Sequence, residues 1–223
     1  MLLLQFSTSH YCRKARLALG YKQIPYRVEN LTPGLHRLRV QPLTGTSTLP
    51  TLLPELPDQP IAIGDSSRIF QFLETFQPEP PLTWSSDRDS ELWQIEDWLD
   101  ESIGIATRFI YYDFRAKAGK ALDPSLSSQL VIQTVRWQYG INSARVALAI
   151  DRLEVALKWL ARWQNQPFLI GDRLTLVDLT AAALLSPLAR IPDYRQQYPW
   201  LFERMKEVHA RCGEPLPLGL EEG

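Results

Sequence analysis

The run Phe6-Ser7-Thr8-Ser9-His10-Tyr11-Cys12-Arg13-Lys14-Ala15-Arg16-Leu17-Ala18-Leu19 constrains the fold more than any other stretch. Met1 to Phe6 is apolar, long enough for a buried strand and too short for a helix. Ser7, Thr8 and Ser9 break that run with small hydroxyl residues suited to capping a helix. Cys12, Ala15 and Leu19 then recur at helical spacing, with Tyr11 and Ala18 beside them. Ser9 and Tyr11 therefore belong at the mouth of a strand-to-helix turn. Unpaired N–H groups and the helix dipole favour negative charge there. A hydroxyl in that place can hold a thiolate or carboxylate by donating a hydrogen bond. A free thiol titrates near ~8.5, and a helix N-terminus depresses that value. The same spacing equally suits a plain cap, with Cys12 packed as a small apolar residue.

The next sixty residues continue an α/β pattern. Gly20 and Pro25 end the helix, and Tyr26-Arg27-Val28-Glu29 alternates as a second strand. A strand, a helix and a strand in this span predict a parallel pair with a right-handed crossover. A short helix is expected around Leu35 to Arg39. Pro50 opens the apolar run Thr51-Leu52-Leu53, where a missing N–H does least harm to a sheet. Thr51–Leu53 and Ile61–Ile63 are expected to form a hairpin. Gly64-Asp65-Ser66-Ser67 then caps a helix from Arg68 to Phe76.

Gln77-Pro78-Glu79-Pro80-Pro81 is a stiff extended connector. Beyond it the texture changes to long helical patterns over Leu92 to Phe114, Leu130 to Trp163 and Leu176 to Ala189. Trp93, Trp98, Trp137, Trp159 and Trp163 are expected to fill an all-α core, and Arg152, Glu154 and Lys158 to face solvent. In Gly171-Asp172-Arg173-Leu174-Thr175-Leu176-Val177-Asp178, Thr175 is an N-cap and Asp178 returns the bond to its backbone, a capping box of structural purpose. Glu214 to Gly223 is expected to be a loose tail.

The totals exclude several classes. A net charge of −1 on 223 residues argues against a nucleic-acid or anionic-membrane binder. Two cysteines without a Cys-x-x-Cys pair point to a reducing compartment, hence a cytoplasmic setting. The start Met1-Leu2-Leu3-Leu4 lacks the pattern of a signal peptide, and no apolar run is long enough for a membrane span. His10, His36 and His209 show no metal-ligand spacing, so no metal is expected.

The ordered set is what carries a resemblance: the Ser9 turn, Leu49-Pro50 before a strand, Asp65-Ser66 opening a helix, a proline connector, and Gly-Asp-x-Leu-Thr-x-x-Asp in an all-α half. The chain resembles the cytosolic glutathione transferases over about residues 1 to 212. The resemblance implies a thioredoxin-like, glutathione-binding domain over 1–77 and a linker over 78–86. An all-helical bundle with the electrophile pocket comes next over 87–213, then a tail over 214–223. It implies conjugation of glutathione, a co-substrate, to small apolar electrophiles in detoxification, by a cytoplasmic homodimer. Ser9 lies where several classes of that family carry a catalytic serine. Leu49-Pro50 matches the residue before a cis-proline that pairs with the cysteinyl part of glutathione. Asp65-Ser66 matches the pair that holds the γ-glutamyl end.

Departures leave alternatives open. His10 stands where the family usually has proline. No base precedes Pro50 closely, so the glycyl carboxylate falls to Arg39, His36 or Arg13. Arg13 and Lys14 oppose the dipole of their own helix start; either both are solvated or one faces a bound anion. Tyr11 is a second candidate for the catalytic hydroxyl. Tyr11, Phe109 and Tyr112 are candidate walls of the electrophile pocket, from helical spacing alone. Two rival functions remain: thiol–disulfide exchange of the glutaredoxin kind through Cys12, and a non-catalytic module that binds glutathione or apolar ligands.

Overall fold

The computed structural model describes residues 1–84 and 89–220. An α/β unit comes first. Strand β1 (Leu2–Gln5) leads into helix α1 (His10–Tyr21), which returns to β2 (Arg27–Asn30). The two strands pair in parallel, Leu3 opposite Val28, as the strand–helix–strand spacing predicts. Helix α2 (His36–Thr44) follows, then β3 (Thr51–Leu53), β4 (Ile63–Gly64) and α3 (Ser66–Phe76). The sheet order is β2-β1-β3-β4, with β1/β3 and β3/β4 antiparallel.

Some expected limits shift. Helix α2 runs past Arg39 through Pro42 and stops at Gly45, whose φ of 74° ends it in the left-handed region. The hairpin partner is Ile63–Gly64 and not Ile61–Ile63, and Ile61 is exposed. Lys22, fully buried, donates to the carbonyls of Gln77 (2.7 Å) and Pro78 (3.0 Å) and pairs with Glu74. It thereby fixes the start of the proline connector to the end of α1. Residues 85 and 86 of the expected linker, with 87 and 88, lie outside the described residues.

The rest is helical. Helices α4 (Asp89–Asp97) and α5 (Gly104–Ala116) are joined through one π-helical segment, Trp98–Ile103. The pattern expected as one helix over Leu92 to Phe114 is thus interrupted. Such π turns appear mostly inside α-helices and often at functional sites. The pattern over Leu130 to Trp163 is two helices, α6 (Leu126–Gln138) and α7 (Ser143–Leu160), broken at Gly140 with φ 61°. Helices α8 (Leu176–Leu184), α9 (Pro192–Gln197) and α10 (Pro199–Cys212) complete the bundle.

One apolar core spans both halves. Leu17, Leu19 and Phe70 of the α/β half share it with Leu99, Leu153, Trp163, Leu179 and Met205. Helix α1 packs on α3, α8 and α10, and α5 packs on α7. Helix α8 is buried all round, and the expected Thr175–Asp178 capping box is formed. Trp137 departs from expectation: its side chain is 85% exposed and takes no part in the core. The segment after Gly213 is not loose. Glu214 accepts from Arg16 Nε at 2.7 Å and Arg13 Nη1 at 3.4 Å, and Leu220 is buried. Residues 221–223 of the expected tail lie outside the described residues.

Candidate active site

Ser9 caps α1. Its backbone is extended (φ −72°, ψ 126°), and its Oγ accepts the Cys12 N–H at 3.3 Å. A hydroxyl keeps its own proton to donate while accepting such a bond. Cys12 is completely buried, and burial pushes its thiol up against the opposing pull of Ser9. A buried, protonated thiol is a poor nucleophile, so Cys12 serves as core. Tyr11 directs its hydroxyl away, donating to the Asp100 carbonyl at 2.8 Å. Burial, the largest influence, raises the pKa of this phenol. His10 is buried, and its Nε2 lies 3.2 Å from the Gly104 carbonyl. Burial and then the Arg108 charge lower its pKa to about 3. Neutral His10 thus donates across to the helical half.

The Leu49–Pro50 peptide is cis. The Leu49 N–H and carbonyl take no hydrogen bond from the described residues. Open backbone groups just before a strand can pair with a peptide ligand. Asp65, at φ 77°, caps α3, with Oδ1 accepting from Ser67 N at 2.9 Å and Arg68 N at 3.1 Å. That leaves the Ser66 N–H at the helix start without a partner among the described residues. A helix start with an open N–H suits a carboxylate.

Directly beneath lies a charge cluster not expected from the sequence. Lys14 is fully buried between the halves, bonded to Glu96 and Asp100, with Ser67 Oγ at 3.0 Å. Ser67 Oγ also donates to Glu96 at 2.8 Å, and Ser66 Oγ to Asp100 Oδ1 at 3.4 Å. Lys14 is therefore neither solvated nor facing a ligand. Burial raises both carboxyl pKa values, while Lys14 lowers them. A signal existed: Glu96 and Asp100 stand four apart, on one helix face.

The other predicted residues fall in different places. Arg13 turns to the C-terminal segment, donating to Pro215 O at 2.9 Å and to Glu214. His36 has both ring nitrogens engaged, Nδ1 accepting from Gly34 N and Nε2 facing Ser47 O, each at 3.1 Å. Arg39 is exposed, 3.9 Å from Glu29. Phe109 packs on the core. Tyr112 sits one turn beyond Arg108, which covers the faces of Tyr11 and Tyr139 at 5.0 and 4.5 Å. Spacing pointed to Tyr11 and Tyr112 but not to Arg108 or Tyr139.

Residues 3–81 match the family model of the glutathione S-transferase N-terminal domain, and residues 138–208 that of the C-terminal domain. The chain belongs to the glutathione transferase superfamily. The fold agrees. A glutathione S-transferase from Methylobacterium radiotolerans, solved in complex with glutathione sulfonate, superposes with a TM-score of 0.72 at 24% identity, covering 97% of this chain and 94% of that one. Another from Methylobacillus flagellatus, solved with GSH bound, gives 0.69 at 19% identity, covering 95% and 96%. Among curated proteins, a stringent starvation protein A homolog of Pasteurella multocida is 23% identical over 186 residues, 83% of this chain and 73% of that protein. At these identities the transferase fold is shared, and the chemistry of this member must be argued from its own residues.

Proposed function

We propose that this chain conjugates the thiolate of glutathione to small electrophiles. The observation that carries the reading is a three-part cradle. Ser9 stands at the start of α1, the Leu49 peptide group, unpaired among the described residues, precedes Pro50, and the Asp65-capped start of α3 offers the Ser66 N–H. The family supports glutathione as the occupant, and two solved neighbours carry glutathione species.

In this reading Leu49 pairs with the cysteinyl backbone. The Ser66 N–H takes the γ-glutamyl carboxylate, and Asp65 faces its ammonium. Arg39 meets the glycyl carboxylate, since Arg13 and His36 are engaged elsewhere. Ser9 donates its hydroxyl proton to the sulfur, and the α1 dipole adds to the preference for thiolate. A C–S bond then forms at the electrophile as its leaving group departs with the bonding pair. The glutathione thiol gives its proton to solvent water as the thiolate forms, so the step uses no general base on the protein. The buried Cys12 speaks against thiol–disulfide exchange. A homodimer, a cytoplasmic setting and a detoxifying role rest on the family. No helix among the described residues is long and apolar enough to cross a membrane.

The test is thiolate absorbance against pH with glutathione bound, together with rates on a panel of electrophiles. Ser9→Ala should still bind glutathione but raise the pKa of the bound thiol. Its conjugation rate should fall by roughly one to two orders of magnitude, as losing a hydrogen bond to a charge costs about 1.5–3 kcal/mol. A wild type that binds glutathione and turns over nothing on the panel would favour the non-catalytic module instead.

A further inference from the structure

Arg108 is half-buried on α5, and among the described residues its guanidinium has no oxygen partner. Every other described arginine that is not exposed has one. Arg16 holds Glu214, Arg115 holds Tyr111 and Ser128, Arg136 holds Asp113, Arg190 holds Tyr111, and Arg13, Arg173 and Arg204 hold backbone carbonyls. Among the described residues Arg108 is held only by ring faces, lying 5.0 Å from the Tyr11 ring on α1 and 4.5 Å from the Tyr139 ring at the end of α6. A guanidinium partly removed from water over aromatic ring faces keeps its in-plane donors for a planar anion.

The surroundings agree. The hydroxyls of Tyr112 and Tyr139 also lack a hydrogen bond among the described residues, and Tyr112 lies one turn from Arg108 on the same helix. The carboxylates acting on Tyr11 are Asp100, already bound to Lys14 and Ser66, and Glu101; neither forms an ion pair with Arg108. The Arg108 charge also acts on His10, the residue after Ser9, so it stands beside the start of α1.

We propose that Arg108, with the Tyr112 and Tyr139 hydroxyls, binds a carboxylate on the electrophile, so that this chain selects anionic over neutral electrophiles. The inference rests on the transferase reading and names its substrate class. The carboxylate does not react. A thiolate sulfur bonds to the electrophilic carbon while the carboxylate, held by the guanidinium fork, orients that carbon toward Ser9. A charge-assisted, forked contact supplies both affinity and geometry.

The test pairs 4-chloro-3,5-dinitrobenzoate with its methyl ester. In each, sulfur replaces chloride on the ring and chloride leaves with the bonding pair. Each enzymatic rate is divided by its uncatalysed rate with free glutathione. The wild type should favour the carboxylate by roughly tenfold or more, and Arg108→Gln should bring that ratio toward one with glutathione affinity kept. Arg108→Lys, which retains charge without the fork, should fall between them. A wild-type ratio near one, or a ratio untouched by Arg108→Gln, overturns the proposal. So does a parallel loss of both rates and of glutathione affinity, which would make Arg108 a strut for Tyr11. Calorimetry with the two preformed glutathione conjugates gives the same comparison without turnover. If the wild type binds both conjugates but reacts with neither substrate, the transferase reading fails, and the conjugate ratio still decides Arg108. If neither conjugate binds, both fall.

Discussion

The Tyr11 hydroxyl donates a 2.8 Å hydrogen bond to the backbone carbonyl of Asp100. This bond ties the start of α1 to the π-helical turn, and it occupies the phenolic proton. Tyr11→Phe is therefore expected to lower stability by about 1 kcal/mol, the net worth of a typical internal hydrogen bond. Its conjugation rate should change far less than that of Ser9→Ala. Urea melts and initial rates check both; a collapse of the thiolate absorbance in Tyr11→Phe would move the sulfur donor from Ser9 to Tyr11.

Lys14 gives a second expectation. Lys14→Met leaves Glu96 and Asp100 buried without their cation, and breaking a buried pair from one side costs about 3–5 kcal/mol. Adding Glu96→Gln and Asp100→Asn to Lys14→Met should restore much of that loss, because neutral side chains need no countercharge. Equilibrium unfolding of the single and triple variants reads the difference. A single variant as stable as wild type would show that the cluster adds no net stability at this junction.

The buried histidines set a pH dependence. His10 and His209 titrate in the folded protein near about 3 and about 4, below the ordinary histidine value, chiefly through burial. A depressed folded pKa means the unfolded chain takes the proton first as pH falls. The stability contributed by the neutral rings is therefore complete above about pH 6.5 and declines as pH drops toward about 4. The slope for each histidine should approach about 1.4 kcal/mol per pH unit in that window. His10→Gln should remove roughly one histidine's share, measured as midpoints of urea unfolding at a series of pH values.

Asp178 is fully buried and accepts from Leu169 N at 2.7 Å, Thr175 N at 2.8 Å and Thr175 Oγ1 at 2.9 Å. Asp178→Ala strands two buried backbone donors as well as removing a cap, so a loss of about 2–4 kcal/mol is expected. Glutathione affinity of the folded variant should be unchanged. Thermal unfolding and calorimetry check the pair of outcomes, and lost affinity at full stability would make Asp178 a site residue.

Much of this molecule is local. The strand–turn–helix at Ser9, the proline before β3, the Asp65 cap, the Thr175–Asp178 box and the change from α/β to all-α were legible because each depends on neighbours within a few residues. Helical periodicity also found the buried face of α1. Where it failed, backbone detail intervened: the π segment at Trp98–Ile103 and the left-handed Gly140 divide patterns that look continuous in sequence.

The sequence by itself determined the change from an α/β to an all-α half, most of the elements and the placing of Ser9, Leu49 and Asp65 beside the ends of those elements. Tertiary structure alone decided what faces them. Lys14 meets Glu96 across 82 residues, Arg13 meets Glu214 across 201, and Arg108 settles over the rings of Tyr11 and Tyr139. A repeat of 3.6 residues says which way a side chain points from its own helix. It carries nothing about the charge or ring on the opposite helix, and a buried lysine differs from a solvated one only in that partner.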